Sequence, residues 1–362
     1  MLNFIKKILR APVTRLANKI SSKPDKQRVH TALTTLYENI LNKNEKKGLI
    51  IPFDISADKF ILLSDQHKGA KDYADDFAGA EKNYLAALDF YFNEGFTFIN
   101  MGDCEELWEN LLISVKKHNQ PSFEKEKKFM DAARSIKLFG NHDLFWGNDP
   151  FAGFQLQSIF GLKVPIYEGC VLQAAINQKL LNIFITHGHQ GDAQSDGNAF
   201  SKWFVANVWA PLQSWLQLNS NTPSAIDELK TLHNEFMYEW SSSQKNTILI
   251  TGHTHQPVFE SLTHLERLYR MLLVANQKKD TALIHKTEEQ IKKCNKEYGN
   301  MNEDFLSLQP TYFNTGCCCF SDGDITGIEI CDGFIRLIKW KYDIANNSAR
   351  EVLEEMKMEE LG

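Results

Sequence analysis

The chain has 362 residues, 43% hydrophobic and 24% charged, with 24 Phe and 7 Trp, enough apolar mass for one large domain with insertions or for two domains. Its net charge of −6 is unevenly spread: residues 1–24 carry Lys6, Lys7, Arg10, Arg15, Lys19 and Lys23 and no acid, and removing those six leaves −12 for the rest. So acidic a body excludes a general nucleic-acid binder that works by phosphate neutralisation, and the lack of any run of 18 apolar residues excludes a membrane-spanning helix.

In chain order, Leu2, Ile5, Leu9, Val13, Leu16 and Ile20 follow helical spacing, with basic residues between them. Lys and Arg interrupt this stretch too often for a secretory signal. Two readings stay open: a helix lying on an anionic membrane surface, or a helix packed on the body of the protein. Residues 27–42 are predicted as a helix and 42–48 as a solvated linker, which sets 1–48 apart as a basic helical arm.

From residue 49 to 345 a pattern repeats. "KFILLS" (59–64) runs into Asp65-Gln66-His67, and "FTFINM" (96–101) into Gly102-Asp103-Cys104-Glu105-Glu106. "SIKLF" (135–139) runs into Gly140-Asn141-His142-Asp143, "LLNIFIT" (180–186) into His187-Gly188-His189, and "TILIT" (247–251) into Gly252-His253-Thr254-His255. Each is a short apolar run of the kind that forms a buried strand, and 77–94 is predicted as a helix between two of them. The alternation predicts an α/β layered domain, with ligands beyond the carboxyl ends of the strands.

Two segments interrupt the pattern. Residues 198–242 are predicted as an aromatic-rich helical insertion bearing Trp203, Phe204, Trp209, Trp215, Phe236 and Trp240, and 262–298 as two helices broken near 277–280. Strands are expected over 312–320, 324–330 and 333–340, with Asp-Gly turns at 322–323 and 332–333. Residues 346–362 are expected as an exposed charged helix. Seven Cys without a pairing rhythm point to a reducing, cytoplasmic setting, peripheral to the membrane inner face on the first reading of the arm. Cys317, Cys318 and Cys319, on a strand, would alternate in direction and could not all converge on one ion, so they are read first as small buried side chains, with a redox or metal role as the other reading.

The chemistry lies in the five clusters. Asp65 and His67, two apart, would point the same way along a strand and grip one ion. Asp103 offers a carboxylate able to bridge two cations, Asn141 an amide oxygen, and His187, His253 and His255 imidazoles. Nitrogen and oxygen donors without thiolate suit Mn²⁺ first, then Fe or Zn²⁺. Two such ions about 3.5–4 Å apart can activate a shared water for attack on phosphorus.

The ordered series D-x-H, G-D-x-x-E, G-N-H-D, H-G-H and G-H-T-H resembles the calcineurin-like metallophosphoesterase superfamily over roughly residues 58–320. The resemblance implies two stacked mixed β-sheets flanked by helices, here with helical insertions. It also implies that Asp65, His67 and His255 hold one divalent ion, that Asn141, His187 and His253 hold a second, and that Asp103 bridges them. His142 matches the family's catalytic histidine and Glu106 the carboxylate that orients it, with Asp143 a competing orienter and His189 a competitor of His187. The activity implied is hydrolysis of a phosphate ester or pyrophosphate on a phosphorylated small molecule, nucleotide or lipid-linked substrate. "GDCEELWEN" and the insertion after H-G-H look similar to the UDP-2,3-diacylglucosamine pyrophosphatase branch, whose members commonly carry Arg where His142 stands. A serine/threonine protein phosphatase and a non-catalytic metal-bound scaffold are the other readings. His30, His118, His233, His264 and His285 are expected at the surface.

Overall fold

The computed structural model describes residues 24–72, 75–191, 227–294 and 308–361. Among the described residues, fourteen strands form two mixed sheets of seven. Sheet one runs in the order β1 (Gly48–Pro52), β6 (Gly169–Ile176), β7 (Lys179–Thr186), β8 (Thr247–Thr251), β11 (Tyr312–Asn314), β9 (Val258–Phe259) and β10 (Leu262–Thr263). Sheet two runs β14 (Ser348–Lys357), β13 (Phe334–Tyr342), β12 (Ile325–Cys331), β2 (Phe60–Leu63), β3 (Thr97–Asn100), β4 (Ser135–Leu138) and β5 (Ile166–Tyr167). Strands β2, β3, β4 and β5 pair in parallel, as do β7, β8 and β11, so the loops after them leave each sheet on one edge.

The two-residue period of a strand sorts its side chains between layers. Phe60 and Leu62 point into the space between the sheets, where they meet Ile183, Ile248, Ile250 and Ile328. Their neighbours Ile61 and Leu63 point outward onto Tyr84 and Leu88 of the helix Phe77–Asn93. On sheet one, Leu249 faces the helix Lys26–Leu41, which buries Val29, Leu33 and Ile40 there together with Trp240 of the helix Asp227–Ser243. Each fully buried aliphatic or aromatic side chain contributes about 1.5–3 kcal/mol. The result is helix, sheet, sheet, helix, the stacked arrangement expected.

The predicted strand over 312–320 ends at Asn314, and Cys317, Cys318 and Cys319 lie buried in the loop that follows. Helices His264–Lys278 and Thr281–Cys294 stand where two were expected, and pack on each other through Leu265, Leu268 and Ile291.

The expected C-terminal helix is instead strand β14, paired antiparallel with β13 from Phe334↔Lys357 to Tyr342↔Ser348. Its charges find partners across strands: Glu355 takes Arg336 Nε at 2.7 Å, Glu351 takes Lys341 Nζ at 2.6 Å, and Arg350 grips Glu329 with two nitrogens. A charged segment makes a good sheet edge because it discourages pairing with another chain. Residues 1–23, the basic first part of the 1–48 arm, and Trp203, Phe204, Trp209 and Trp215 lie outside the described residues. No helix among the described residues is long and apolar enough to cross a membrane.

Candidate metal centre

Five loops, each at the carboxyl end of a central strand, deliver the candidate ligands. Strand β2 ends at Leu63, so Asp65 and His67 stand in the loop beyond it and not along a strand. They converge because the loop turns twice through left-handed backbone, with φ 53° at Asp65 and 50° at His67. Asp103 (φ 50°), His253 (φ 69°) and His255 (φ 56°) share that conformation. Left-handed backbone costs an L-residue about 1–2 kcal/mol, and it persists here because the loops lock together: Asp65 N–H donates to Gly102 O at 3.1 Å, and His67 N–H to Asp103 O at 2.9 Å. Two glycines let the loops approach. A Cβ at Gly140 would run into Asp103 Oδ1, and one at Gly252 into Asp65 Oδ2.

Each carboxylate has one oxygen tied to structure and one aimed inward. Asp65 Oδ2 accepts His253 N–H at 3.0 Å and the Ser64 hydroxyl, and Asp103 Oδ1 accepts His142 N–H at 2.8 Å. Around the inward oxygens the imidazoles present Nε2. His255 Nε2 lies 3.3 Å from Asp65 Oδ1 and 3.2 Å from His67 Nε2. His187 Nε2 lies 3.1 Å from Asp103 Oδ2 and 3.2 Å from Asn141 Oδ1. His67 Nε2 lies 3.8 Å from both Asp65 Oδ1 and Asp103 Oδ2, so Asp103 Oδ2 sits between His67 and His187. The His253 ring stands 5.2 Å from that of His187, and Asp103, His187 and His253 bring ligand atoms within 4.8 Å of one another.

These atoms fit a pair of cations. Among the described residues, His253 Nε2 is buried with no hydrogen-bond partner, a state that proteins rarely leave uncompensated, and buried Asp65 Oδ1 has only the imidazole nitrogens of His255, His67 and His187 around it. Burial raises the carboxyls of Asp65 and Asp103, but the charge of His187, joined by His255 at the first and His142 at the second, holds both well below the usual carboxylate range. Burial, with His187 and His233 beside it, pushes His253 well down, which leaves a neutral imidazole with an open lone pair.

Beside these groups stands His142. Its Nδ1 lies 2.7 Å from Glu106 Oε2, and the same oxygen lies 2.8 Å from His67 Nδ1. Glu106 therefore orients a candidate ligand and the candidate catalytic histidine at once. Burial raises its carboxyl, but His142 and His67 bring it down to about 2. Asp143 does not compete for that role: its oxygens accept Cys104 N–H at 2.8 Å and Gly140 N–H at 2.6 Å. His189 is buried with its ring 5.4 Å from that of His187, and among the described residues it joins no set of three converging ligand atoms.

Three features around the site, two single residues and one buried ion cluster, escape sequence reasoning. His233, expected at the surface, is buried, with Nε2 2.8 Å from Gly188 O and its ring 5.2 Å from His253. Trp108 stacks on His142. Beneath the site, Lys137 Nζ lies 3.1 Å from both Glu105 oxygens, Lys68 Nζ 3.2 Å from Glu105 Oε1, and Lys68 also pairs with Glu126. "EE" at 105–106 was the available signal, since two adjacent acids at a buried strand end each need a partner.

No protein-family model matches the chain, and no curated protein matches it. Among solved structures it is similar to vacuolar protein sorting 29 from Cryptosporidium parvum, at 12% identity over 83% of this chain and 98% of that one, with a TM-score of 0.33. It is also similar to a dimetal phosphatase from Danio rerio, at 9% identity over 83% of this chain and 100% of that one, with a TM-score of 0.35.

Proposed function

We propose that this chain is a metal-dependent phosphoesterase of the calcineurin-like superfamily that hydrolyses a phosphate ester or pyrophosphate. The observation that carries the reading is the convergence of Nε2 of His67, His187 and His255 on the inward oxygens of Asp65 and Asp103, with Asp103 Oδ2 between two sets of donors. Asp65, His67 and His255 are assigned to one ion, Asn141, His187 and His253 to the other, and Asp103 to both. Mn²⁺ is the first choice for that donor set, followed by Fe or Zn²⁺. When bound, two such ions supply a water acidic enough to attack phosphorus at neutral pH and positive charge opposite the oxygens that become negative.

The chain's own groups supply the rest. Glu106 holds His142 by Nδ1, which leaves Nε2 to bind a phosphoryl oxygen or to protonate the leaving group. Gly140 lets Asn141 and His142 follow β4 directly against Asp103, so ligand and acid are neighbours in one loop.

The test is a panel assay with added Mn²⁺, comparing an aryl phosphomonoester, an aryl phosphodiester and a UDP-sugar pyrophosphate. Turnover of the pyrophosphate alone would single out the UDP-2,3-diacylglucosamine pyrophosphatase type. Asp103→Asn should lose bound metal and turnover together. Unchanged metal content and full activity in that variant would overturn the two-ion assignment, and no turnover of any substrate by the metal-loaded protein would overturn the activity.

A further inference from the structure

Three of the four candidate-ligand imidazoles present Nε2 to the inward carboxylate oxygens and are each held from behind at Nδ1, and the three holders differ. His67 Nδ1 meets a carboxylate oxygen of Glu106 at 2.8 Å, and His187 Nδ1 meets the carbonyl of Met101 at 3.1 Å. His255 Nδ1 meets the sulfur of Cys319 at 3.8 Å, and the thiol of Cys317, itself hydrogen-bonded to Cys319, also reaches His255. A metal-binding histidine needs such an acceptor, because the group that takes the second N–H fixes both tautomer and ring orientation. We propose that Cys319 is a positioning residue of the metal centre, its sulfur taking the Nδ1–H of His255 and thereby holding the Nε2 lone pair toward Asp65 and His67.

The loop that carries the sulfur is built against the ligand loop. Cys318 N–H donates to the backbone carbonyl of Asp65 at 3.1 Å, and Thr315 Oγ1 lies 2.7 Å from Ser64 Oγ, whose hydroxyl is bonded to Asp65 Oδ2. Thr326 N–H ties Cys317 O at 3.0 Å on the far side. Cys319 is therefore placed by hydrogen bonds that run through Asp65 itself. It is 8% exposed, so little water reaches the sulfur to replace it as acceptor. Cys319 lies close enough to His67 and His255 to count among possible ligands. The two nitrogens of His255 decide against that: Nε2 faces the inward oxygen of Asp65, Nδ1 faces the sulfur, and the ring stands between them. Sulfur is a weak acceptor, so His255 is the least firmly held of the three imidazoles and the ion beside it the more easily lost.

The inference rests on the metal-centre reading, and a cobalt titration separates the two. Metal-free protein is titrated with Co²⁺ and followed in the visible and near-ultraviolet. Wild type should bind two Co²⁺ with no sulfur-to-cobalt charge-transfer band. Cys319→Ala should weaken one binding step by about 10–100-fold and leave the other unchanged; Cys319→Ser, whose hydroxyl can accept the same N–H, should recover most of the loss. Two unchanged steps in Cys319→Ala would overturn the positioning role. A charge-transfer band in wild type would overturn it too, by showing sulfur bonded to the ion, and that measurement needs no variant to fold. If wild type takes up no Co²⁺ at all, the metal-centre reading is what has failed.

Discussion

The indole of Trp108 lies flat on the imidazole of His142, with ring centroids 4.1 Å apart and planes inclined by 22°. His142 is thus held at its edge by Glu106 and on its face by Trp108. A stacked pair is worth about 0.5–1.5 kcal/mol beyond area burial. Trp108→Ala should therefore lower kcat about 2–10-fold with bound metal unchanged, and Trp108→Phe should recover most of it. Loss of metal in Trp108→Ala would show that the indole supports the ligand loops instead.

Glu106 and His142 should be separable by metal content. His142→Ala should keep its metal and lose on the order of 10²–10⁴ in rate. Glu106→Gln should lower both rate and metal affinity, the latter by about 10–100-fold, because one oxygen serves His142 and His67 alike. Element analysis after gel filtration, beside a rate assay, distinguishes the pair of outcomes.

Glu105 carries a pH signature. Burial raises its carboxyl, but Lys137 and Lys68 overcome this and bring it down to about 2 from an ordinary 4.5. A carboxyl lowered on folding contributes stability that is fully present above pH 4.5 and is lost as pH falls through 2. Urea unfolding between pH 5 and 2 should show that loss, and Glu105→Gln should flatten it. The variant should also be destabilised at pH 7 by about 3–5 kcal/mol, since Lys137 is left as an uncompensated buried charge.

Gly140→Ala should abolish metal binding in a chain that still folds. The added methyl meets Asp103 Oδ1, Asp103 N and His187 Cδ2, on two of the loops that must converge, while the layers beneath are untouched. Native-like circular dichroism without bound metal is the expected pattern. Normal metal binding would mean that the loops yield.

Much of the core was legible because strands announce themselves. Five apolar runs end within one residue of five strand ends, and Leu62 between Ile61 and Leu63 already implies two faces. The candidate ligands were legible as an ordered list of residue types, but the geometry that brings them together was not. Asp and His tolerate left-handed backbone better than most L-residues, but at Asp65, His67, Asp103, His253 and His255 it is the neighbouring loops that impose it. The C-terminal segment failed for a related reason. Glu351 and Glu355 have the spacing of a charged helix, and only the facing strand, with Lys341 and Arg336, shows why they lie extended. His233 was misread because polarity suggested solvent, whereas its partner is a carbonyl 45 positions away.

The candidate ligands divide between the two sheets. Asp65, His67, Asp103 and Asn141 follow β2, β3 and β4 of sheet two, while His187, His253 and His255 follow β7 and β8 of sheet one. Each assigned ion would thus draw donors from both sheets, and the pair would act as a rivet at one rim of the sandwich. Elsewhere the sheets meet through apolar side chains, which resist separation well but resist sliding only through their shapes. Shear of one sheet over the other would then be the motion that metal suppresses. Chelation should loosen the rim before it melts the core, with amide exchange rising first at the ends of β2 and β8 and last around Ile183 and Ile328.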